Sequence, residues 1–309
     1  MNSRYIWMNG TMVPTADANV PFLTAGFHYG VGVFEGIRAY DTPRGPAVFR
    51  LREHLERLHG SCHILGFAAL PYSTDDLIAA VVDTVRANGF EECYIRPFVY
   101  LAEGGWNLTL DTGHPHIGIA VWQQSVYLGQ EASARGLRAT VSSFLRHHPA
   151  AMMTKAKISG NYVNSVLAKT DAQRHGFDEA IMLDPNGYVT ECTGANLFLI
   201  RKNGLITPST EAILEGITRA TVLALAEDLG LETLETRVSR DHLYVADEVL
   251  VCGTAAEVLG VAEIDGRVIG AGVTGPITLQ LQAAYADAVH GRTPAHDAWL
   301  TYAGATVPT

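Results

Sequence analysis

One lysine, one tyrosine and one glutamate in the second half of the chain have the residue types and spacing of a cofactor site. Lys157 is followed five positions later by Tyr162, and Glu191 comes directly after a predicted hairpin strand. A lysine amine can bond to the aldehyde of pyridoxal phosphate, a tyrosine hydroxyl can hydrogen-bond the ring oxygen, and a carboxylate can keep the ring nitrogen protonated. The three residues therefore predict a pyridoxal phosphate site. Position alone does not separate Lys157 from Lys155, which lies two residues earlier.

Three segments offer the donors that a phosphate group needs. Residues 214–218 open a predicted helix, whose first N–H groups and the Thr218 hydroxyl form an anion site. The small-residue turn 253–256 adds further backbone donors, and Arg57 on an earlier helix can make a charge-assisted contact. Each signal is common by itself, so the prediction of a phosphate site depends on their combination.

Other catalytic motifs are missing or incomplete in the sequence. Residues 30–36 are rich in glycine, but their G-x-G-x-x-x-G spacing is not the dinucleotide-binding fingerprint. The sequence has no Walker A motif and no G-x-S-x-G motif. Its twelve histidines and four cysteines form no H-E-x-x-H and no C-x-x-C, so no metal site is predicted.

The composition is that of a globular protein and argues against a nucleic-acid partner. The 309 residues are 48% hydrophobic and 17% charged, and 22 Lys+Arg against 32 Asp+Glu give a net charge of −10. A nucleic-acid-binding protein needs a basic surface. No apolar run reaches the roughly 18 residues of a membrane helix, and the N-terminus does not resemble a signal peptide. With its cysteines far apart, the sequence predicts a cytoplasmic protein with reduced thiols and no membrane partner.

Strands and helices are mixed along the chain, and the predicted hairpins favour an α+β or mixed α/β fold over a doubly wound parallel sheet. Asn9-Gly10 between two short strands predicts a type I′ turn. The patterns predict helices over 50–66, 74–88, 160–175 and 217–229, and strands over 94–101, 117–122, 137–144, 180–183, 188–190, 196–200 and 205–207. The polar stretch 129–136 predicts a linker between a smaller N-terminal α/β domain, 1–128, and a larger C-terminal α/β domain, 137–309.

In the order of its motifs, the chain resembles the branched-chain amino acid aminotransferases, a family of fold-type IV pyridoxal phosphate enzymes. The likeness covers nearly the whole chain and implies a two-domain architecture like that of D-amino acid aminotransferase. The matching blocks are HYG at 28–30, VFEGIR at 33–38, HLERL at 54–58, YIRP at 94–97, YLG at 127–129, AK at 156–157, GNY at 160–162, GYVTE at 187–191, GITR at 216–219, ADE at 246–248 and GTAAE at 253–257.

The resemblance implies a role in cofactor binding for several of these residues. It selects Lys157 rather than Lys155 as the lysine that bonds to the cofactor. It assigns Glu191 to the ring nitrogen, Tyr162 to the ring oxygen and Leu214 to the ring face. The residues that it assigns to the phosphate are Arg57, Ile217, Thr218 and Thr254.

The resemblance also implies how substrates are held. The residues that it assigns to the substrate pocket are Phe34, Gly36, Tyr94, Tyr127, Tyr162 and Ala255. The Thr254-Ala255 backbone is implied to bind the α-carboxylate, and Arg96 the distal carboxylate of glutamate. Tyr29 matches a residue that is lent by the neighbouring subunit, so the resemblance implies at least a homodimer.

The implied activity is a ping-pong transfer of the amino group of leucine, isoleucine or valine to 2-oxoglutarate. Two departures bear on the substrate, since family members often carry Trp where this chain has Gln124 and Glu where it has Ala195. They leave open a fold-type IV transaminase for (R)-amines or D-amino acids. A lyase of the same fold, such as aminodeoxychorismate lyase, and a non-enzymatic binding protein are further alternatives.

Overall fold

The computed structural model describes residues 2–102, 108–110, 113–124 and 135–304, and the structural statements below refer to these residues. The chain divides into two compact units. The first unit comprises Met1–Gln124, Ala156–Gly160 and Asp287–Thr309, and the second comprises Ser125–Lys155 and Asn161–Ala286. The segment that carries Lys157 therefore belongs to the first unit. The predicted linker at 129–136 lies almost wholly outside the described residues, so the predicted domain boundary stays a prediction.

The described strands and helices follow one another along the chain. The strands are β1 Tyr5–Met8, β2 Thr11–Pro14, β3 Gly32–Phe34, β4 Ile37–Tyr40, β5 Ala47–Phe49, β6 Cys93–Leu101, β7 Pro115–Trp122, β8 Leu137–Val141, β9 Glu179–Leu183, β10 Tyr188–Cys192, β11 Asn196–Arg201, β12 Gly204–Pro208, β13 Thr233–Thr236, β14 Val238–Ser239, β15 Glu248–Gly253, β16 Glu257–Ile264, β17 Arg267–Val268 and β18 Leu300–Tyr302. The α-helices are α1 Ala25–Tyr29, α2 Leu51–Leu65, α3 Thr74–Asn88, α4 Tyr162–Arg174, α5 Ile217–Asp228, α6 Arg240–Tyr244 and α7 Pro276–Val289. The 3₁₀ turns are Thr15–Asp17, Ser159–Asn161, Thr210–Ala212 and Pro294–Trp299.

The first unit is built on an eight-stranded sheet with the order β18-β5-β4-β6-β7-β1-β2, in which β3 also pairs with β6. Its strand pairs among the described residues are all antiparallel. The predicted first hairpin is confirmed, with Asn9 at φ 47° and Gly10 at φ 91° in the turn. These positive φ values are those of the type I′ turn that Asn-Gly favours.

Helices α2 and α3 supply the apolar core of the first unit. The predicted helix over 50–66 corresponds to α2, and its residues Leu51, Leu55, Leu58 and Cys62 are buried on one face. Helix α3 begins at a capping box, in which Ser73 Oγ accepts the Asp76 N–H and the Asp76 carboxylate accepts the Ser73 N–H. Two backbone donors at the helix start are thereby satisfied, which fixes where α3 begins.

The second unit is built on a ten-stranded sheet with the order β13-β12-β11-β15-β16-β8-β9-β10-β14, with β17 beside β16. Three of its strand pairs are parallel, namely β12 with β13, β16 with β8 and β8 with β9. The others are antiparallel, including the predicted hairpins β9–β10 and β11–β12. The prediction of an α+β or mixed α/β fold is confirmed.

Two predicted elements of the second unit have different bounds in the structure. The strand predicted over 137–144 ends at Val141, because Ser142 Oγ accepts the Phe144 N–H at 2.9 Å and the chain turns there. The helix predicted over 160–175 opens with the 3₁₀ turn Ser159–Asn161, and its α-helical part is α4. None of the helices in the described residues has the length and hydropathy that crossing a bilayer requires.

Candidate active site

Backbone contacts attach the segment around Lys157 to the first unit. Phe34 N donates to Lys157 O at 3.1 Å, Lys157 N donates to Ser61 Oγ at 3.0 Å, and Gly160 N donates to Gly30 O at 3.0 Å. A Cβ on Gly160 would lie 3.1 Å from Gly30 O, so a larger residue would push these two backbones apart. Glycine is therefore required at position 160, three residues after Lys157, by a close approach of the two backbones. This approach holds the lysine segment in place.

Four predicted substrate residues come together beside Lys157 in the first unit. Lys157 Nζ lies 5.0 Å from the centroid of the Phe34 ring, and the Arg96 guanidinium lies 4.6 Å from the same centroid. Arg96 Nη2 donates to Tyr94 Oη at 3.2 Å. A Cβ on Gly36 would lie 2.0 Å from Tyr94 Oη, so that position admits only glycine unless the tyrosine moves. Phe34, Gly36, Tyr94 and Arg96 thus form one cluster.

Arg96 is a cation with aromatic neighbours and an unsatisfied donor. The rings of Phe34, Tyr94 and Trp122 lie 4.6, 5.3 and 5.8 Å from its guanidinium carbon. Its Nε is buried and has no hydrogen-bond partner within the described ranges. A buried donor without a partner is costly, so this atom marks a place where an anionic ligand would be stabilised.

Of the other two substrate residues predicted in the first half of the chain, the structure describes only one. Tyr29 ends the short helix α1 and is 42% exposed. Tyr127 lies outside the described residues, and its role stays a prediction.

Arg57, predicted for the phosphate, is fixed by a carboxylate that the sequence analysis did not single out. Glu35 is fully buried and accepts from Arg57 Nε at 2.7 Å, from Arg57 Nη2 at 2.8 Å and from His54 Nδ1 at 2.7 Å. Burial raises the pKa of Glu35, but the charges of Arg57 and His54 outweigh it and hold this pKa well below its usual range. Burial also lowers the pKa of His54, which Glu35 opposes and the cations Arg57 and Lys157 reinforce. Arg57 is therefore held in one orientation by a permanently ionised partner.

In the second unit, the Glu191 carboxylate is buried and receives several donors. Arg146 Nη2 lies 2.8 Å from Glu191 Oε1, and Asn196 Nδ2 lies 3.1 Å from Oε2. The Leu214 N–H points at both oxygens, at 3.3 Å each. These donors all favour the ionised carboxylate, as its predicted role requires. The structure therefore brings Glu191 and Leu214 together and adds Arg146 and Asn196, which the sequence analysis missed.

The start of helix α5 lies next to this group. Gly216 is the residue before the helix and, as a glycine, has no side chain to cap the first N–H groups. A Cβ on Gly216 would lie 1.9 Å from Asn196 Oδ1, so the glycine lets the helix start approach Asn196. Ile217 and Thr218 form the first turn, and Thr218 is buried. The uncapped N–H groups form a donor set of the kind that binds phosphate.

The predicted residues after strand β15 lie at the same end of the second sheet. Strand β15 pairs with β11, with Cys252 opposite Asn196. A Cβ on Gly253 would lie 3.2 Å from the Gly194 carbonyl oxygen. Thr254 and Ala255 follow Gly253 directly and are half-buried. Tyr162 is the first residue of α4 and is also half-buried.

Lys155, the alternative nucleophile, is engaged elsewhere in the second unit. Its Nζ lies 3.0 Å from Glu215 Oε1 and donates to the Thr210 carbonyl oxygen. Across the described ranges, no group of three or more histidine, cysteine, aspartate or glutamate side chains is arranged to hold a metal ion.

Comparison with known proteins identifies the family. The model of the family described as Amino-transferase class IV matches residues 32–264 of this chain. The chain belongs to this family. It is 48% identical over 296 residues to a branched-chain-amino-acid aminotransferase of Pseudomonas aeruginosa, with 96% of each chain covered. The corresponding protein of Escherichia coli is 43% identical over 298 residues, again with 96% of each chain covered.

Solved structures of the same family superpose closely on this chain. A T.th. branched-chain amino acid aminotransferase complexed with N-(5′-phosphopyridoxyl)-L-glutamate has a TM-score of 0.94 and 43% identity, with 98% of this chain and 100% of that chain covered. The same enzyme has also been crystallised with pyridoxamine 5′-phosphate and with 4-methylvaleric acid. The predicted branched-chain aminotransferase family and the predicted fold-type IV architecture are confirmed.

Proposed function

We propose that this chain is a pyridoxal phosphate-dependent transaminase that moves the amino group of leucine, isoleucine or valine to 2-oxoglutarate. The observation that carries the proposal is Arg96 in its aromatic surroundings. Phe34 and Tyr94 offer an apolar surface for a branched side chain, and the buried Arg96 Nε offers a donor for a second carboxylate. One cluster can thereby accept both an apolar donor and a dicarboxylic acceptor, which a ping-pong transaminase must do.

The named relatives support this substrate pair. The T.th. enzyme binds a glutamate derivative of the cofactor and, separately, the branched acid 4-methylvaleric acid. Both ligand classes match what the Arg96 cluster offers chemically. The relatives from Pseudomonas aeruginosa and Escherichia coli carry the branched-chain name at 48% and 43% identity.

Within each unit, the assigned residues have the chemistry that pyridoxal phosphate needs. The second unit supplies the uncapped start of α5 for the phosphate, with Ile217 and Thr218, and the turn with Thr254. It also supplies the ionised Glu191 for the ring nitrogen and Leu214 for the ring face, and Tyr162 is assigned to the ring oxygen. The first unit supplies Lys157 for the covalent bond and Arg57 for the phosphate. The Lys155 amine is held by Glu215 and a backbone carbonyl within the second unit.

Each protein group then has a defined task in the reaction. Bound pyridoxal phosphate supplies an electron sink that makes the α-proton of an amino acid acidic. Lys157 Nζ would carry that proton from the donor α-carbon to the cofactor C4′ carbon, and it would carry a proton in the reverse direction when the acceptor is aminated. Glu191 holds a proton at the ring nitrogen, and the Thr254-Ala255 backbone orients the α-carboxylate. Phe34, Gly36 and Tyr94 offer a surface for the substrate side chain, and the resemblance to the family assigns Tyr127, Tyr162 and Ala255 to the same task.

Assembly as a homodimer and a cytoplasmic location belong to the same proposal. Phe22, Leu23 and Phe27 are 78%, 63% and 64% exposed around helix α1, close in sequence to the exposed Tyr29. A second copy of the chain would remove this apolar surface from water, and Tyr29 would then be placed to serve the partner's substrate. All four cysteines are unpaired and buried, as expected for a reducing compartment.

A donor and acceptor panel tests the function. The purified holoenzyme is assayed with L-amino acids, D-amino acids and (R)- and (S)-1-phenylethylamine, each with 2-oxoglutarate and with pyruvate. We expect the highest kcat/KM for L-leucine, L-isoleucine and L-valine with 2-oxoglutarate. Preference for D-amino acids or (R)-amines would replace the proposal with the second transaminase class. Pyruvate release from aminodeoxychorismate without any acceptor would replace it with a lyase.

A further inference from the structure

Glu191 is the end of a line of polar side chains within the second unit. Arg146 Nη2 lies 2.8 Å from the Glu191 carboxylate, and the other terminal nitrogen of Arg146 lies 3.4 Å from His147 Nδ1. Asn164 on helix α4 lies beside His147 and donates through Nδ2 to the Leu145 carbonyl oxygen at 2.9 Å. We call Arg146, His147 and Asn164 the Arg146 relay.

The hydrogen-bond donors and acceptors of the Arg146 relay can be assigned in only one way. An arginine donates and never accepts, so His147 Nδ1 must be the acceptor and Nε2 must carry the ring hydrogen. Asn164 uses its amide nitrogen for Leu145 O, which leaves Oδ1 as the acceptor. His147 Nε2 and Asn164 Oδ1 are both buried and without a hydrogen-bond partner in the described part of the chain. They are complementary donor and acceptor in neighbouring side chains.

The charge state of His147 agrees with this direction. Burial, reinforced by the positive charge of Arg146, lowers the pKa of His147 to about 4, and the neighbouring Asn164 side chain opposes the shift. His147 is then neutral at physiological pH, as an acceptor of the Arg146 N–H must be. A protonated His147 would instead repel Arg146 and loosen its hold on Glu191.

The Arg146 relay is not needed to hold the loop that carries it. Backbone bonds already do so, since Ser142 N donates to Ile181 O and Arg146 N donates to Leu183 O, each at 2.8 Å. The side chain of Arg146 instead reaches into the interior and is buried, although a surface position would cost an arginine nothing. In the interior, the Arg146 guanidinium pairs with the Glu191 carboxylate, which compensates for the burial of its charge.

We propose that Arg146, His147 and Asn164 are positioning residues that act through Glu191, keeping its carboxylate ionised and in one orientation toward the cofactor ring nitrogen. The inference deepens the proposed function and rests on it. An adjacent arginine favours the ionised form of a carboxyl group, so loss of Arg146 weakens Glu191 as the counter-ion of a protonated nitrogen. Orientation by outer contacts of this kind typically changes activity by about 10- to 100-fold.

The test compares the holoenzymes of Arg146→Gln, Arg146→Lys, Asn164→Leu and the matched control His148→Gln, whose histidine is the exposed neighbour of His147. We expect Arg146→Gln to lower kcat by about 10- to 100-fold with KM for the amino donor changed less than about threefold. The pH titration of the bound cofactor's absorbance should shift as well. Arg146→Lys should restore most of kcat, Asn164→Leu should shift kcat and the titration in the same direction by less, and His148→Gln should match the wild type. A role limited to folding would lower thermal stability and leave the absorbance titration unchanged, and that result would overturn the proposal.

A double variant decides whether the Arg146 relay works through Glu191. If it does, adding Arg146→Gln to Glu191→Gln lowers kcat by less than about twofold further, because the shared interaction is already lost. Multiplicative effects of the two changes would refute the proposal. If the wild type binds the cofactor but does not transaminate branched-chain amino acids, only the proposed function is refuted. The absorbance titration then still tests the Arg146 relay. A wild type that takes up no cofactor refutes both.

Discussion

Replacing Glu35 by glutamine tests how the first unit prepares its arginine. The Glu35 side chain is 0% exposed and receives three charge-assisted hydrogen bonds, two from Arg57 and one from His54. Glutamine has the same shape, but it has no charge and only one acceptor oxygen, so at least one Arg57 N–H is left facing an N–H group. Breaking a buried ion pair from one side costs about 3–5 kcal/mol. We expect Glu35→Gln to lose stability in this range at pH 7.

The pKa of Glu35 determines how the stability loss of Glu35→Gln changes with pH. The pKa of Glu35 in the folded chain lies far below its unfolded value of about 4.3, so folding is favoured by ionisation of this group above that pH. This contribution falls as the pH drops below about 4 toward the folded pKa. The stability difference between wild type and Glu35→Gln should therefore be constant from neutral pH to about pH 5 and shrink in stronger acid.

The assay is denaturant unfolding of the apoprotein at several pH values, combined with titration of pyridoxal phosphate into each variant. Glu56→Gln is the matched control, because Glu56 lies on the same helix α2 and is exposed. We expect the cofactor Kd of Glu35→Gln to rise by about tenfold or more, since Arg57 loses its fixed orientation. Unfolding curves and cofactor affinity equal to those of Glu56→Gln would show that Glu35 neither stabilises the fold nor positions Arg57.

Four further predictions concern single positions. Lys157→Ala should abolish turnover and the borohydride-stable cofactor adduct, and near-normal turnover by this variant would refute its assignment. Gln124→Trp should fill the cavity of about 210 Å³ that Gln124 lines with Arg38 and Tyr94, and kcat/KM for bulky or polar donors relative to leucine should fall by about tenfold. Gly216→Ala places a Cβ 1.9 Å from Asn196 Oδ1, so we expect a loss of about 1–3 kcal/mol in urea unfolding and weaker cofactor binding. His147→Gln should remove the part of the wild type's stability that is lost between about pH 6.5 and 4, because the folded His147 has a pKa of about 4 and must stay neutral.

Local patterns in the sequence predicted most of the first unit and the hairpins of the second. The Asn9-Gly10 turn, helix α2 and the start of α3 at Ser73 each depend on residues that are close together in the sequence. The cluster of Lys157 with Phe34 and Arg96 was predicted only through the resemblance, since these residues are far apart in sequence and meet through β3 and β6. Local chemistry named the residue types, and the fold was needed to bring them together.

Other features could not be read from local patterns. The attachment of Ala156–Gly160 and Asp287–Thr309 to the first unit follows from long-range backbone pairing, for example between Leu300 and Phe49. Strands β15 and β16 were not predicted, because they are buried on both faces and lack the alternation that marks a half-buried strand. The parallel pairs of β8 with β9 and β16 leave no signal in the spacing of turns, since parallel strands are joined by long connections.

The charged partners were missed for a different physical reason. Glu35 and Arg146 are residue types that are mostly exposed, so a sequence reader assigns them to the surface unless a partner is known. Yet each is buried in an ion pair inside one unit, Glu35 with Arg57 in the first and Arg146 with Glu191 in the second. Because a buried charge is tolerated only when it is paired, each pair commits its unit to one geometry before any ligand arrives, and substitutions in one pair should leave the other intact.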